Sequence, residues 1–206
     1  MAGIGDDIKA VLEELGSSTT IYKYGGITIT EVMDLETFPT SSTEFIRQYF
    51  GVLSVAYDSA IAPGDIVFIN NCYYLVILTD RMFFENAPVD ITVPACRCNV
   101  YGSLKRLSTV TNADYIKVPT WTDVTVEPLR ALQYEDKSGN FQEIEGHLMS
   151  FNKEQHSLLL PIFVPVQVDD RWYPSHSNLN EFYRISSIDT RRFENVSICS
   201  LEEDTR

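Results

Sequence analysis

Two stretches of this chain, 109 positions apart, carry the same residues in the same order. Tyr74, Asp80 and Phe84-Glu85-Asn86 recur as Tyr183, Asp189 and Phe193-Glu194-Asn195, with Tyr73 facing Phe182, Val76 facing Ile185 and Val89 facing Ile198 at that offset. Thirteen aligned positions without a gap hold five identities. Within 206 residues, such a period predicts two related units of about a hundred residues each. Each copy is expected to hold a strand from the Tyr, a turn after the Asp, and a Phe that plugs a barrel end. Asp and Asn side chains hydrogen-bond to nearby backbone and hold such turns. A carboxylate site from Asp80 and Glu85 is the functional alternative, and turn chemistry explains these residues better.

The local patterns predict a mainly β fold of two small barrel-like units with a short amphipathic helix in front. Ile8, Val11, Leu12 and Leu15 recur at helical spacing, with Asp6 as the expected N-cap and Gly16 as the expected left-handed C-terminal residue. A helix of about ten residues is too short to persist alone in water and must dock. From Thr19 the period switches to two around Gly25-Gly26, which predicts a hairpin. Phe38 to Ser42 reads as a loop, and Glu44 to Ser54 fits strand or helix, with strand preferred. Pro63-Gly64-Asp65 turns into Ile66 to Ile69, and Asn70-Asn71 turns into Tyr73 to Leu78, the clearest hairpin in the chain. Further strands are expected at Asp90 to Val93 and Arg97 to Tyr101. The resulting division is residues 1–107 for the helix and first barrel, 108–122 for a Thr-rich connection, and 123–206 for a second β-rich domain. The 11 Tyr and 11 Phe, with recurring Val, Ile and Thr, agree with strands.

Charge narrows the function classes. Lys plus Arg is 16 against 29 Asp plus Glu, a net −13. A surface this acidic repels phosphates over roughly 8–10 Å at moderate salt, so nucleic acid and anionic membranes are poor general partners. No apolar run approaches the ~20 residues of a membrane-spanning helix, and Met1 to Leu15 lacks the pattern of a signal peptide. A soluble, cytoplasmically made chain is expected. Cys72, Cys96, Cys98 and Cys199 are expected as free thiols, Cys96 and Cys98 facing opposite sides of one strand. His147, His156 and His176 stand apart with no metal-ligand spacing, and no glycine-rich phosphate loop or nucleophile elbow is present. No cofactor and no enzymatic activity are expected.

The residues left as candidates for an interface are Ile8, Val11, Leu12 and Leu15 on the helix, which must dock on its own domain or on a neighbour, Phe38 in its loop, and the basic group Arg97, Lys105 and Arg106, which suits acidic surfaces of neighbouring subunits or a solvated strand face. Arg191-Arg192 forms a second basic cluster, whose bland reading is a solvated strand face. Trp121, Trp172 and Tyr173 read as core more readily than as interface anchors.

The run Gly5-Asp6-Asp7-Ile8-Lys9-Ala10-Val11-Leu12-Glu13-Glu14-Leu15-Gly16, then Thr20-Ile21, Tyr57-Asp58, Pro63-Gly64-Asp65-Ile66-Val67, Phe84-Glu85-Asn86 and Cys98-Asn99-Val100-Tyr101-Gly102, resembles virion structural proteins of tailed bacteriophages over the first half of the chain. The resemblance implies a non-enzymatic particle component assembled in the bacterial host cytoplasm. Its expected place is the neck, as a head–tail connector, adaptor, stopper or tail-completion ring. Implied partners are portal, neck or tail proteins and further copies of itself, with DNA passing through the ring unbound and no membrane involved. A tail-tip, baseplate or fibre-attachment binding module is the alternative class, and a small hydrolase the third.

Overall fold

The computed structural model describes residues 3–23, 26–37, 49–111, 115–125, 128–135, 141–144, 147–150, 156–175 and 182–204. The loop expected at 38–42, with Phe38, lies outside them, as do residues 44–48 of the ambiguous stretch. In chain order the first elements are α1 (Ile4–Leu15), β1 (Ser17–Tyr22), β2 (Thr28–Thr37), β3 (Phe50–Ala56), β4 (Ile66–Ile69), β5 (Cys72–Val76), β6 (Asp80–Phe84) and β7 (Ala87–Arg97). There follow β8 (Val100–Thr111), β9 (Lys117–Asp123), β10 (Leu129–Glu135), β11 (Phe141–Ile144), β12 (His147–Ser150), β13 (His156–Pro161), β14 (Arg171–Pro174), β15 (Tyr183–Phe193) and β16 (Val196–Glu203).

The chain forms two compact units. Unit 1 holds Met1–Asn99 and is completed by Pro161–Phe163 and Thr190–Val196; unit 2 holds Val100–Leu160, Val164–Asp189 and Ser197–Arg206. The stretch 108–122, expected to connect the two, is instead the β8–β9 hairpin of unit 2, with Ser108 opposite Thr120 and Val110 opposite Val118. Its threonines and valines are β-branched and suit a pleated strand better than a linker.

Each unit contains a closed six-stranded barrel. In unit 1 the hydrogen-bonded ring is β1-β2-β3-β7-β5-β4, and in unit 2 it is β8-β10-β13-β16-β15-β14. Counted within each unit, both rings run first, second, third, sixth, fifth, fourth. One topology is thus used twice. The 109-residue offset places β5 and β6 on β15, and β7 on β16. β5 and β6 pair with one edge of β7, at Ala95–Arg97 and Ala87–Thr92, while β3 takes the other. They are therefore one barrel strand broken at Ile77–Thr79, whereas β15 runs unbroken. The Asn70-Asn71 and Glu85-Asn86 turns, and Asn195, all have positive φ, which Asn tolerates better than most residues.

Strand periodicity fills the first barrel. Ile21, Met33, Leu53, Val55, Val67, Ile69, Ile91 and Val93 point inward and are buried together. Leu75 and Cys96, on the opposite faces of β5 and β7, are buried too. That matches the unalternating apolar runs expected of strands covered on both sides. In unit 2, Leu104, Leu132, Leu158, Trp172, Ile185 and Leu201 are buried. Trp172 is core as expected, its indole N–H donating to Gln133 Oε1 at 2.9 Å.

The fourth strand of each barrel is entered through the same polar clasp. Asp65 donates its N–H to Ala62 O at 3.1 Å and accepts the Ala62 N–H on Oδ2 at 2.9 Å. Asp170 does the same with Gln167, at 3.2 and 2.7 Å. Gly64 N–H donates to Val76 O, and Val76 N–H donates back to Asp65 O, both at 2.9 Å; Asp169, Ile185 and Asp170 repeat this at 2.9 Å. A cation from the first strand region closes each clasp. Lys23 Nζ reaches Asp65 Oδ2 at 2.8 Å and Ala60 O at 2.6 Å; Arg106 reaches both Asp170 oxygens at 2.8 Å and Pro165 O at 2.5 Å. The two aspartates are buried, so their charges need these partners.

Candidate assembly surfaces

The helix docks on its own unit, against β2, β3 and β7, and splits its expected apolar stripe in doing so. Gly5 is buried, Ile8 and Leu12 are half-buried, but Val11 is 54% and Leu15 78% exposed. The sequence misses the reason, which is Gly5. A Cβ there would meet the Tyr57 ring at 2.9 Å and Pro88 O at 3.0 Å, so the helix backbone lies directly on the barrel and rotates the stripe outward. Two further expectations change. Gly3 is the N-cap, and Asp6, three residues on, accepts the Gly3 N–H at 3.0 Å. Gly16 is extended rather than left-handed; a Cβ there would meet Leu12 O at 2.6 Å and Val32 Cγ1 at 2.7 Å.

Polar contacts fix the helix start. Tyr57 donates its hydroxyl to Asp6 Oδ1 at 2.9 Å, and Lys9 Nζ meets Asp58 Oδ2 at 2.5 Å. The Gly3 N–H and then the Tyr57 hydroxyl hold the Asp6 carboxyl below its ordinary value, while hydrogen bonding to Asp58 raises Lys9. Beside this start lies an open groove of about 490 Å3, lined by Ile4, Gly5, Tyr57, Phe84, Pro88 and Val89 among others.

The basic group draws its members from both units. Arg97 is exposed at the end of β7 in unit 1. Lys105, in unit 2, stands 3.6 Å from Asp123 and over the Tyr173 ring at 5.2 Å. Arg106 is spent inside the clasp, its guanidinium raised by the hydrogen bond to Asp170. The sequence holds no signal that Asp170 folds back on it, and its side chain stays about a third exposed. Trp121 is half-buried, with the Arg171 guanidinium 3.9 Å from its ring centre.

Larger exposed apolar surface lies where the sequence gives least warning. All five residues of β6 are exposed, including Met82, Phe83 and, at 52%, Phe84. Phe84 therefore does not plug the barrel; beyond the break in its strand it points into solvent. β6 ends its sheet, and among the described residues no strand pairs with its outer edge. In unit 2, Leu107, Val110, Tyr115, Ile116 and Val118 are exposed along and beside the β8–β9 hairpin, and β9 likewise ends its sheet. Exposed edges and apolar hairpins are what native monomers usually blunt.

The four cysteines are free thiols. Cys96 and Cys199 are buried, and burial pushes the Cys199 thiol up to about 12 and Cys96 well above its ordinary value. The expected opposite facing of Cys96 and Cys98 fails on strand period, since residues two apart share a face; they differ because Cys98 lies just beyond the end of β7. Among the described residues no His, Cys, Asp and Glu cluster has the geometry to hold a metal, and no helix is long and apolar enough to cross a membrane. His156 packs on the Tyr183 ring at 5.2 Å, and His176 lies outside the described residues. No protein-family model, curated protein or solved structure matches the chain.

Proposed function

We propose that this protein is a non-enzymatic structural component of a tailed-phage virion, a neck protein of the head–tail connector type that works as a ring of identical copies. The observation that carries the reading is the placement of exposed apolar surface. Each barrel closes on itself, yet α1, β6 and the β8–β9 hairpin hold out Leu15, Val11, Phe83, Phe84, Leu107 and Ile116 to solvent. Such surface on a chain of net charge −13 suits burial against other proteins rather than against DNA or anionic lipid. An acidic wall lets DNA slide past, because it repels phosphates where a basic lining would hold them. Portal, neck or tail proteins are the proposed partners, met in the bacterial cytoplasm during assembly. The phage placement itself rests on the resemblance in the first half of the chain. The test is to purify virions, identify this chain in them by mass spectrometry, and locate and count it by antibody labelling and image reconstruction. Many copies in a ring between head and tail support the reading. Absence from virions, or a position at the tail tip, overturns it.

A further inference from the structure

The repeat pairs two features within unit 1 and leaves their counterparts uncovered among the described residues. The tip Thr190–Val196 belongs to unit 1, where Asn195 lies on the turn at Gly64: a Cβ at Gly64 would meet Asn195 O at 2.7 Å. The Ile162 N–H also donates to Asn195 O, at 2.9 Å. At the 109-residue offset this tip corresponds to Arg81–Ala87, the end of the β6–β7 hairpin, and all seven of those residues are exposed. At the 105-residue offset of the clasps, Gly64 corresponds to Asp169; both have positive φ, 89° and 73°. Ala62 and Pro63 are half-buried and Gly64 is buried, whereas Gln167, Val168 and Asp169 are all exposed.

We propose that the β6–β7 tip of one copy seats on the Gln167–Asp169 turn of a second copy of this chain. A tip without a turn and a turn without a tip, on one chain, are the two halves of a head-to-tail contact. Repeated, that contact is heterologous and generates a ring if its rotation closes. The proposal deepens the ring reading above and rests on it for its biological setting, but the association itself needs no virion. The second contact is not a replica of the first. Asp169 carries a side chain where Gly64 admits backbone, so Phe84 and Met82 against Val168 replace the close backbone approach. The expected affinity is accordingly weak. Glu85 on the tip and Asp169 on the turn are both acidic, although Arg184 stands 3.5 Å from Asp169. Added salt should therefore strengthen association by screening the repulsion between chains.

The test uses the full chain carrying Ala87→Cys and Val168→Cys together, oxidised at high concentration, with the two single variants as controls and thermal melting to confirm folding. Both positions are exposed. The expected result is a ladder of disulfide-linked multimers from the double variant, with 87–168 links identified by peptide mass spectrometry. Mixing the two single variants should stop at linked pairs. Phe84→Asp added to the double variant should cut the ladder by about tenfold or more, the effect of losing one buried aromatic contact. No 87–168 link, or 87–87 and 168–168 links in equal yield, overturns the proposal. A ladder from a protein absent from virions sinks the neck assignment alone; a virion ring without the ladder sinks this contact alone.

Discussion

The two barrels share a ring order and a clasp, and they differ in what each does with its fifth strand. In unit 2 that strand runs unbroken as β15, ending in a tip that helps complete unit 1. In unit 1 it breaks after Val76, and the second piece, β6, is wholly exposed. The difference teaches that closing the barrel takes only part of the fifth and sixth strands. The remainder of the hairpin is available for other surfaces, and the two copies have used it differently.

The largest expected effect comes from removing the carboxylate of a clasp. Asp170→Ala leaves Arg106 without its bidentate partner and the Gln167 N–H without an acceptor, and should lower unfolding free energy by about 3–5 kcal/mol. Asp65→Ala should cost less, about 2–3 kcal/mol, because Lys23 is a flexible ammonium that finds water more readily. Urea unfolding of the two variants orders them; equal losses would mean the clasps are equivalent despite their different cations. Gly64 and Asp169 sharpen the comparison next. Gly64→Ala places a Cβ 2.7 Å from Asn195 O at positive φ and should cost about 2–3 kcal/mol, whereas Asp169→Ala, in an uncovered turn, should cost under about 1 kcal/mol. A smaller split separates the two sides of α1. Leu12→Asp should destabilise unit 1 by about 1–3 kcal/mol, while Val11→Asp with Leu15→Asp should leave melting nearly unchanged and, on the neck reading, block incorporation into particles.

Two finer tests follow from charge and thiol chemistry. The folded Asp6 carboxyl titrates below its ordinary value of 3.8, so the stabilisation it lends the helix start is full above that value and fades as pH falls through the lower folded one. Lys9 is raised above 10.5, so its contribution is full below 10.5 and fades only at higher pH. Chemical shifts of Tyr57 and of the first helical turn should move in those two windows and stay flat between them. Thiol titration of native protein should label Cys72 and Cys98 before Cys96 and Cys199, and denaturation should expose all four.

The mainly β, two-barrel fold was legible because its determinants are local: alternating strands, an Asn70-Asn71 turn with positive φ, and a hairpin tip repeated at one offset. The clasp was not legible. Asp65 and Asp170 stand 105 apart while Val76 and Ile185 stand 109 apart, because unit 2 has four more residues between the clasp aspartate and its fifth-strand partner. Ungapped matching cannot hold both in register. Lys23 and Arg106, 83 apart, share neither spacing nor residue type. The assembly surface was half legible for a different reason. Helical spacing identifies Ile8, Val11, Leu12 and Leu15 as apolar neighbours, but the rotation that half-buries two and exposes two is set by the Gly5 contact. On β6, Phe84 reads as a barrel plug, yet it lies beyond the break at Ile77–Thr79 and is exposed.

Unit 1 is completed by residues made long after its own strands. At about 5–20 residues per second, translation takes roughly 5–20 s to run from Asn99 to Val196, and throughout that interval the Gly64 turn has no tip of its own to receive. A nascent first barrel therefore stays incomplete until the last strands of the chain have been made. The Gly64 turn thus ties completion of the first barrel to synthesis of the residues that form the second.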